Sequence, residues 1–148
     1  MFPLRILIVA NSIDFLESAA HLLELRPEVQ SVRCAVSVSD ALDQLPSSNP
    51  NVVLVSWNLS GTSGLTLTQL LKSRISAPYV FLLSMFDLPI YHTVAKEAGA
   101  DGLICASDWN VELFALLDKF SPSTGVRPGS PSDQPTQDKE PAAYSENP

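Results

Sequence analysis

The chain has 148 residues, 45% apolar and 17% charged, which suits one domain of ordinary size with a sizeable core. A net charge of −7, with nine basic residues scattered singly, lacks the clustered Lys and Arg that a nucleic-acid partner requires. No apolar run reaches the roughly 18 residues of a membrane span.

The start, Met1-Phe2-Pro3-Leu4-Arg5, has no small-residue cleavage site, so a cytoplasmic location is expected. Leu4–Ala10 then reads as a continuous apolar strand. Ile13–Leu25 follows with helical spacing of Leu16, Ala19, Ala20 and Leu23, and Asp14 and Glu17 stand where a helix dipole favours them. Val32, Cys34 and Val36 alternate as in a strand with one less-covered face. Ser39 is placed to cap a short helix carrying Ala41, Leu42 and Leu45, stopped by Pro46. Val52–Val55 is a third strand, and Ser63 opens a helix with Leu67, Leu70 and Leu71 on one side. Tyr79–Leu83 is a fourth strand, and Pro89 suits the first position of a helix reaching Ala98. Gly102–Cys105 is a fifth, and Ser107 or Asp108 caps a last helix through Phe120.

From Ser121 to Pro148 the character changes: six prolines, five serines and two glycines among 28 residues, with Val126 the only branched aliphatic. Such a segment buries too little apolar area to offset its ordering entropy, so 121–148 reads as a disordered tail on a domain of residues 1–120. The tail holds two basic and four acidic residues, which leaves the domain at −5. Cys34 and Cys105 match no metal or CxxC spacing and read as small buried hydrophobes.

Five strand–helix units in succession predict a parallel sheet with helices on both faces. For five strands the flavodoxin-like order 2-1-3-4-5 is expected, with a ligand crevice at the carboxyl ends of strands 1 and 3. Ala10-Asn11 and Ser56-Trp57-Asn58 fall there, without a carboxylate, histidine or cysteine among them.

Three stretches, "RILIVANSIDFLESAAHLLE", "NPNVVLVSWNLSGTSGLTL" and "VFLLSMFDLPIYHTVAKEAGADGLICASD", resemble successive parts of a bacterial response regulator receiver domain from about Leu4 to Phe120. "LLSMFD" followed by "AKEAGADGLI" is most similar to receivers that precede a helix-turn-helix output domain, and Gly99-Ala100-Asp101-Gly102 is the most specific piece. The resemblance implies an acidic pair holding magnesium, an aspartate taking phosphate from a histidine kinase, a Ser or Thr switch, and a lysine. A carboxylate attacking phosphorus needs cations to offset charge in the transition state, and magnesium takes carboxylates as its anchors. Here the acidic pair becomes Ala10 and Asn11, the phosphoacceptor Ser56, and the lysine Ala106. Ser84 alone keeps the family's residue type; the aromatic switch position is Leu103, and Asn58 stands where only a backbone carbonyl is required.

Removing three carboxylates takes the crevice from about −3 to neutral, and amide or hydroxyl oxygens without charge are weak magnesium ligands. Ser56 is no substitute nucleophile, since a hydroxyl needs a base and His21 and His92 lie on helices away from the crevice. "GTSG" lacks the lysine of a phosphate loop. The expectation is therefore a pseudo-receiver, not an enzyme, without cofactor or metal. Without room for a helix-turn-helix in the tail, it reads as stand-alone. Its partner would be a protein: a histidine kinase, another regulator or an output protein.

The resemblance implies a signalling face of helix 4, strand 5 and helix 5, carrying Tyr91, Ala95, Leu103, Trp109 and Glu112, and offers homodimerisation through it. Phe86, Ile90 and Tyr91 fit either core or interface. Trp57 reads as a loop residue partly covering the crevice, or as a binding residue. Two alternatives remain: a small-molecule sensor using the uncharged crevice near Trp57 and Ser84, and a conventional phosphorylated regulator, which the four substituted positions contradict.

Overall fold

A computed structural model describes residues 3–120. Five strands form one parallel sheet: β1 (Leu4–Val9), β2 (Val29–Ala35), β3 (Val52–Ser56), β4 (Tyr79–Ser84) and β5 (Gly102–Cys105). Their order is β2-β1-β3-β4-β5, as the sequence predicts. The helices are α1 (Ile13–Glu24), α2 (Val38–Ser48), α3 (Gly64–Lys72), α4 (Pro89–Glu97) and α5 (Trp109–Phe120). Residues Pro3–Leu113 form one compact unit, and Phe114–Phe120 continue α5 as helix. The tail expected from residue 121 lies outside the described residues.

The central strands are apolar apart from Arg5 near the start of β1 and the serines that end β3 and β4, because both faces are covered. Leu7 and Val9 of β1, Val53 and Val55 of β3 and Val80 and Leu82 of β4 pack with Ala41 and Leu45 of α2, Leu67 and Leu71 of α3 and Ala95 of α4. The alternate residues Ile6, Ile8, Leu54 and Phe81 are equally buried and, by the period of two along a strand, face the other way. Cys34, beside Ile8 in the ladder, meets Leu16 of α1 on that face, where α1 buries Leu16, Ala19 and Leu23. Each such aliphatic side chain taken fully out of water contributes about 2 kcal/mol. That continuous core fixes where the strands end, and the strand ends make the crevice.

Several local expectations change. α2 is capped by Ser37, whose Oγ accepts the Asp40 N–H at 3.0 Å, rather than by Ser39. Pro46 lies inside α2 instead of stopping it; so near the end, its missing N–H costs one hydrogen bond, and Asn49 N–H still reaches the Leu45 carbonyl at 2.8 Å. Leu70 faces solvent while Thr68 takes the buried place beside Leu67 and Leu71, its hydroxyl donating to the Gly64 carbonyl at 2.8 Å. β2 ends at Ala35, leaving Val36 exposed. The cysteines are half-buried rather than buried, and free, on the two edge strands of the sheet.

Candidate functional site: a crevice without charge

Ala10 follows β1 and is buried; Asn11 is exposed beside it; Ser12 caps α1, its Oγ accepting the Phe15 N–H at 3.2 Å. Ser56 ends β3, paired with Leu83, and Ser84 ends β4, paired with Cys105. Ala106 opens the single 3-10 turn between β5 and α5. These strand ends converge as the sequence predicts. Ala10, Asn11, Ser56, Ser84 and Ala106 line one cavity of about 160 Å³ together with Ser12, Phe15, Leu83 and Met85. A second cavity of about 120 Å³ shares Ser56, Leu83, Ser84 and Met85 and extends to Trp57, Asn58, Phe86 and Tyr91.

None of these lining residues is acidic or basic. Asp14 is exposed on α1 and lines neither cavity. Among the described residues no group of three or more His, Cys, Asp or Glu is placed to hold a metal. The magnesium that the receiver resemblance implies does not fit: the oxygens on offer are those of Asn11, Ser12, Ser56, Ser84 and the backbone, all neutral.

The switch position is engaged locally. Ser84 is buried, and its Oγ accepts the Phe86 N–H and donates to the Phe86 carbonyl, both at 3.0 Å. That hydroxyl closes a turn at the strand end. Leu103, where the family places an aromatic switch, is half-buried against the core.

Next to the crevice, loop shape demands two glycines. A short hairpin, Asn58–Leu59 against Thr62–Ser63, turns at Gly61 with φ of 77°. A Cβ on Gly64 would lie 2.2 Å from the Ser56 carbonyl oxygen, so only glycine lets α3 start this close to β3. Ser63 caps α3 through the Leu65 N–H at 3.2 Å.

Trp57 leaves β3 with its N–H on the Leu83 carbonyl at 2.8 Å and meets the Tyr91 ring edge-on, centroids 4.9 Å apart. Tyr91 stacks in turn on Phe86 at 5.7 Å. Tyr91, expected on an outward signalling face, is thus tied to the crevice wall. Two further expectations for that face fail on burial. Ala95 is 2% exposed within the core, and Trp109 is 8% exposed with its ring edge-on to Phe15 at 5.9 Å. Glu112 is half-buried and accepts the Cys105 N–H at 3.1 Å, which gives it a structural task at the end of β5. What is exposed instead is the β4–α4 loop and the start of α4: Met85, Phe86 and Leu88 of the loop and Ile90 of the helix are all more than half exposed. Met85 and Leu88, like Phe15 and Leu83 in the crevice, escape sequence reasoning. Phe15 had a signal: it lies in the first turn of α1, directly after the strand end that carries Asn11.

The sequence matches the family model of the response regulator receiver domain over residues 6–107. It is 27% identical over 122 residues to the sensory transduction protein LytT of Enterococcus faecalis, covering 82% of this chain and 50% of that protein. It therefore spans about half the length of that relative, and 34% of the LytT protein of Bacillus cereus. A LuxR-family two-component response regulator from Aurantimonas superimposes with a TM-score of 0.71 at 24% identity, over 80% of this chain and 84% of that one. The chemotaxis response regulator CheY4 of Vibrio cholerae does so with a TM-score of 0.70 at 18% identity, over 79% and 98%. Five parallel strands in this order, with the family match spanning all of them except the first two residues of β1, leave one assignment: the chain belongs to the response regulator receiver domain family.

Proposed function

We propose that this receiver signals without phosphorylation, by binding a protein partner. One observation carries the reading: the crevice where receivers handle phosphate is lined without a carboxylate, histidine, lysine or arginine. A phosphoryl group arriving there meets no nucleophilic carboxylate and no cation to balance its charge. The Ser56 hydroxyl has no base within the crevice to activate it.

Partner binding is supported by the β4–α4 loop and the first turn of α4, where exposed Met85, Phe86, Leu88 and Ile90, interrupted by Asp87, form an apolar patch of the kind that marks protein contact surfaces. Ile90, 61% exposed on the first turn of α4, is a better probe of this surface than Ala95, Trp109 or Glu112, which serve the fold. A histidine kinase, another regulator and an output protein all remain members of the partner class.

The test is the intact mass after incubation with acetyl phosphate or phosphoramidate and magnesium. An unchanged mass is expected, and a hydroxylamine-labile gain of one phosphoryl group overturns the reading. Magnesium titration is expected to leave the Trp57 emission unmoved for the same reason.

A further inference from the structure

Neutrality suits the crevice to another kind of occupant. We infer that the cavity beside Asn11 and Ser56 binds a small, planar, uncharged molecule of about one ring bearing an amide-like group. The inference shares the charge-free crevice with the proposed function, and adds a ligand to it.

Size comes first. The cavity measures about 160 Å³, and a space of about 150 Å³ with apolar walls is known to take a benzene ring. The walls are apolar: Ala10, Phe15, Leu83, Met85 and Ala106. Phe15 supplies a flat surface, and the buried Trp109 ring set edge-on behind it at 5.9 Å holds that surface in place.

Polarity comes second. Of the four polar side chains at the cavity, Ser12 is engaged with the Phe15 N–H and Ser84 with the Phe86 backbone. The Asn11 carboxamide and the Ser56 hydroxyl have no side-chain hydrogen bond among the described residues. An amide offers one donor and one acceptor in a plane, which matches a ligand carrying the same pair. With no charged lining, an ionised ligand would lose hydration without compensation. A few convergent polar groups in an apolar pocket is the usual make-up of a small-molecule site.

Benzamide is the probe, titrated into the ¹⁵N-labelled full chain and followed at the Trp109 indole and at the Asn11, Ser12 and Ser56 amides. A saturable shift confined to this end of the sheet is expected. Benzoate and benzamidine, of the same shape but charged, should bind at least tenfold more weakly. Asn11 is exposed and Ala106 half-exposed, so Asn11→Ala and Ala106→Phe should melt like the parent. The first should weaken benzamide at least fivefold, and the second should abolish its binding. The inference is overturned by the absence of saturation up to the solubility limit, by equal binding of the charged analogues, or by parental binding in both variants. A chain inert to acetyl phosphate and to benzamide alike would lose this site and keep the proposed function. One that takes phosphate yet binds benzamide would do the reverse.

Discussion

At the amino ends of the strands, polar side chains are matched to partners. The Asp101 carboxylate accepts the Lys72 ammonium at 2.8 Å and the Val80 N–H at 2.8 Å, while Lys72 also donates to the Pro78 carbonyl at 3.0 Å. Asn51 accepts the Arg5 N–H and donates to the Pro3 carbonyl, each at 2.8 Å. At the carboxyl ends the crevice positions Ala10, Asn11, Ser56 and Ala106 carry no charge, and the carboxylate of Glu112 there is taken up by the Cys105 N–H. The difference separates two demands on one sheet. Polar groups at the amino end close backbone and ion-pair contacts that folding needs. The acidic cluster that the family keeps at the carboxyl end serves chemistry, and mutual repulsion makes it a burden to the fold. A chain released from the chemistry can lose the second set and must keep the first.

This asymmetry breaks most sharply at Gly64, which belongs to the framework although it borders the crevice. Gly64→Ala forces a methyl to within 2.2 Å of the Ser56 carbonyl oxygen and 3.0 Å of Leu82 and Val55. We expect a loss of about 3 kcal/mol, read as a lowered urea midpoint. A loss below about 0.5 kcal/mol, the ordinary surface range, would mean that the β3–α3 loop is not held as described.

Asp101→Ala comes next. It leaves the Val80 N–H without its carboxylate and Lys72 without its counter-ion, at side chains only 21% and 24% exposed. About 2 kcal/mol is expected from the unmet donor and the stranded charge. By contrast Ser56→Ala removes a hydroxyl with no hydrogen bond among the described residues and should stay within about 0.5 kcal/mol. Equal costs at the two positions would erase the distinction between the two ends.

How far this was legible depended on what fixes each feature. Strand positions could be read because buried parallel strands carry unbroken runs such as Val52–Val55; crossover handedness gave a doubly wound sheet, for which 2-1-3-4-5 is the usual order of five strands. The crevice positions followed in turn, since Ala10, Ser56, Ser84 and Ala106 are strand ends whatever their identity. Side-chain direction was not legible. Ser37 and Ser39 are equally good caps on paper, and only the path of the chain after Ala35 selects Ser37. Ala95 and Trp109 are put on an outward face by the resemblance, and helix positions alone do not reveal the neighbours that cover them. The Trp57–Tyr91 contact joins residues 34 positions apart, beyond the reach of local pattern.

The smallest effect concerns a second ion pair, Arg26–Glu28, in the turn before β2. The Arg26 guanidinium, hydrogen-bonded at 2.7 Å, holds the Glu28 carboxyl below its ordinary range, against a smaller opposing push from burial. Unlike Lys72–Asp101, this pair joins residues two apart and has a partner 45% exposed. It therefore closes no long loop, and solvent screens it to a few tenths of a kcal/mol. Because the folded carboxyl titrates lower than the unfolded one, its contribution is present above the unfolded value and fades as pH falls through the folded one. Glu28→Gln should thus lower the urea midpoint slightly at pH 7, and the difference from the parent should vanish once the medium is acid enough to protonate Glu28 in both states. A gap that instead persists unchanged into acid would show that Gln fails for its shape and not its missing charge, and that the pair contributes nothing electrostatic.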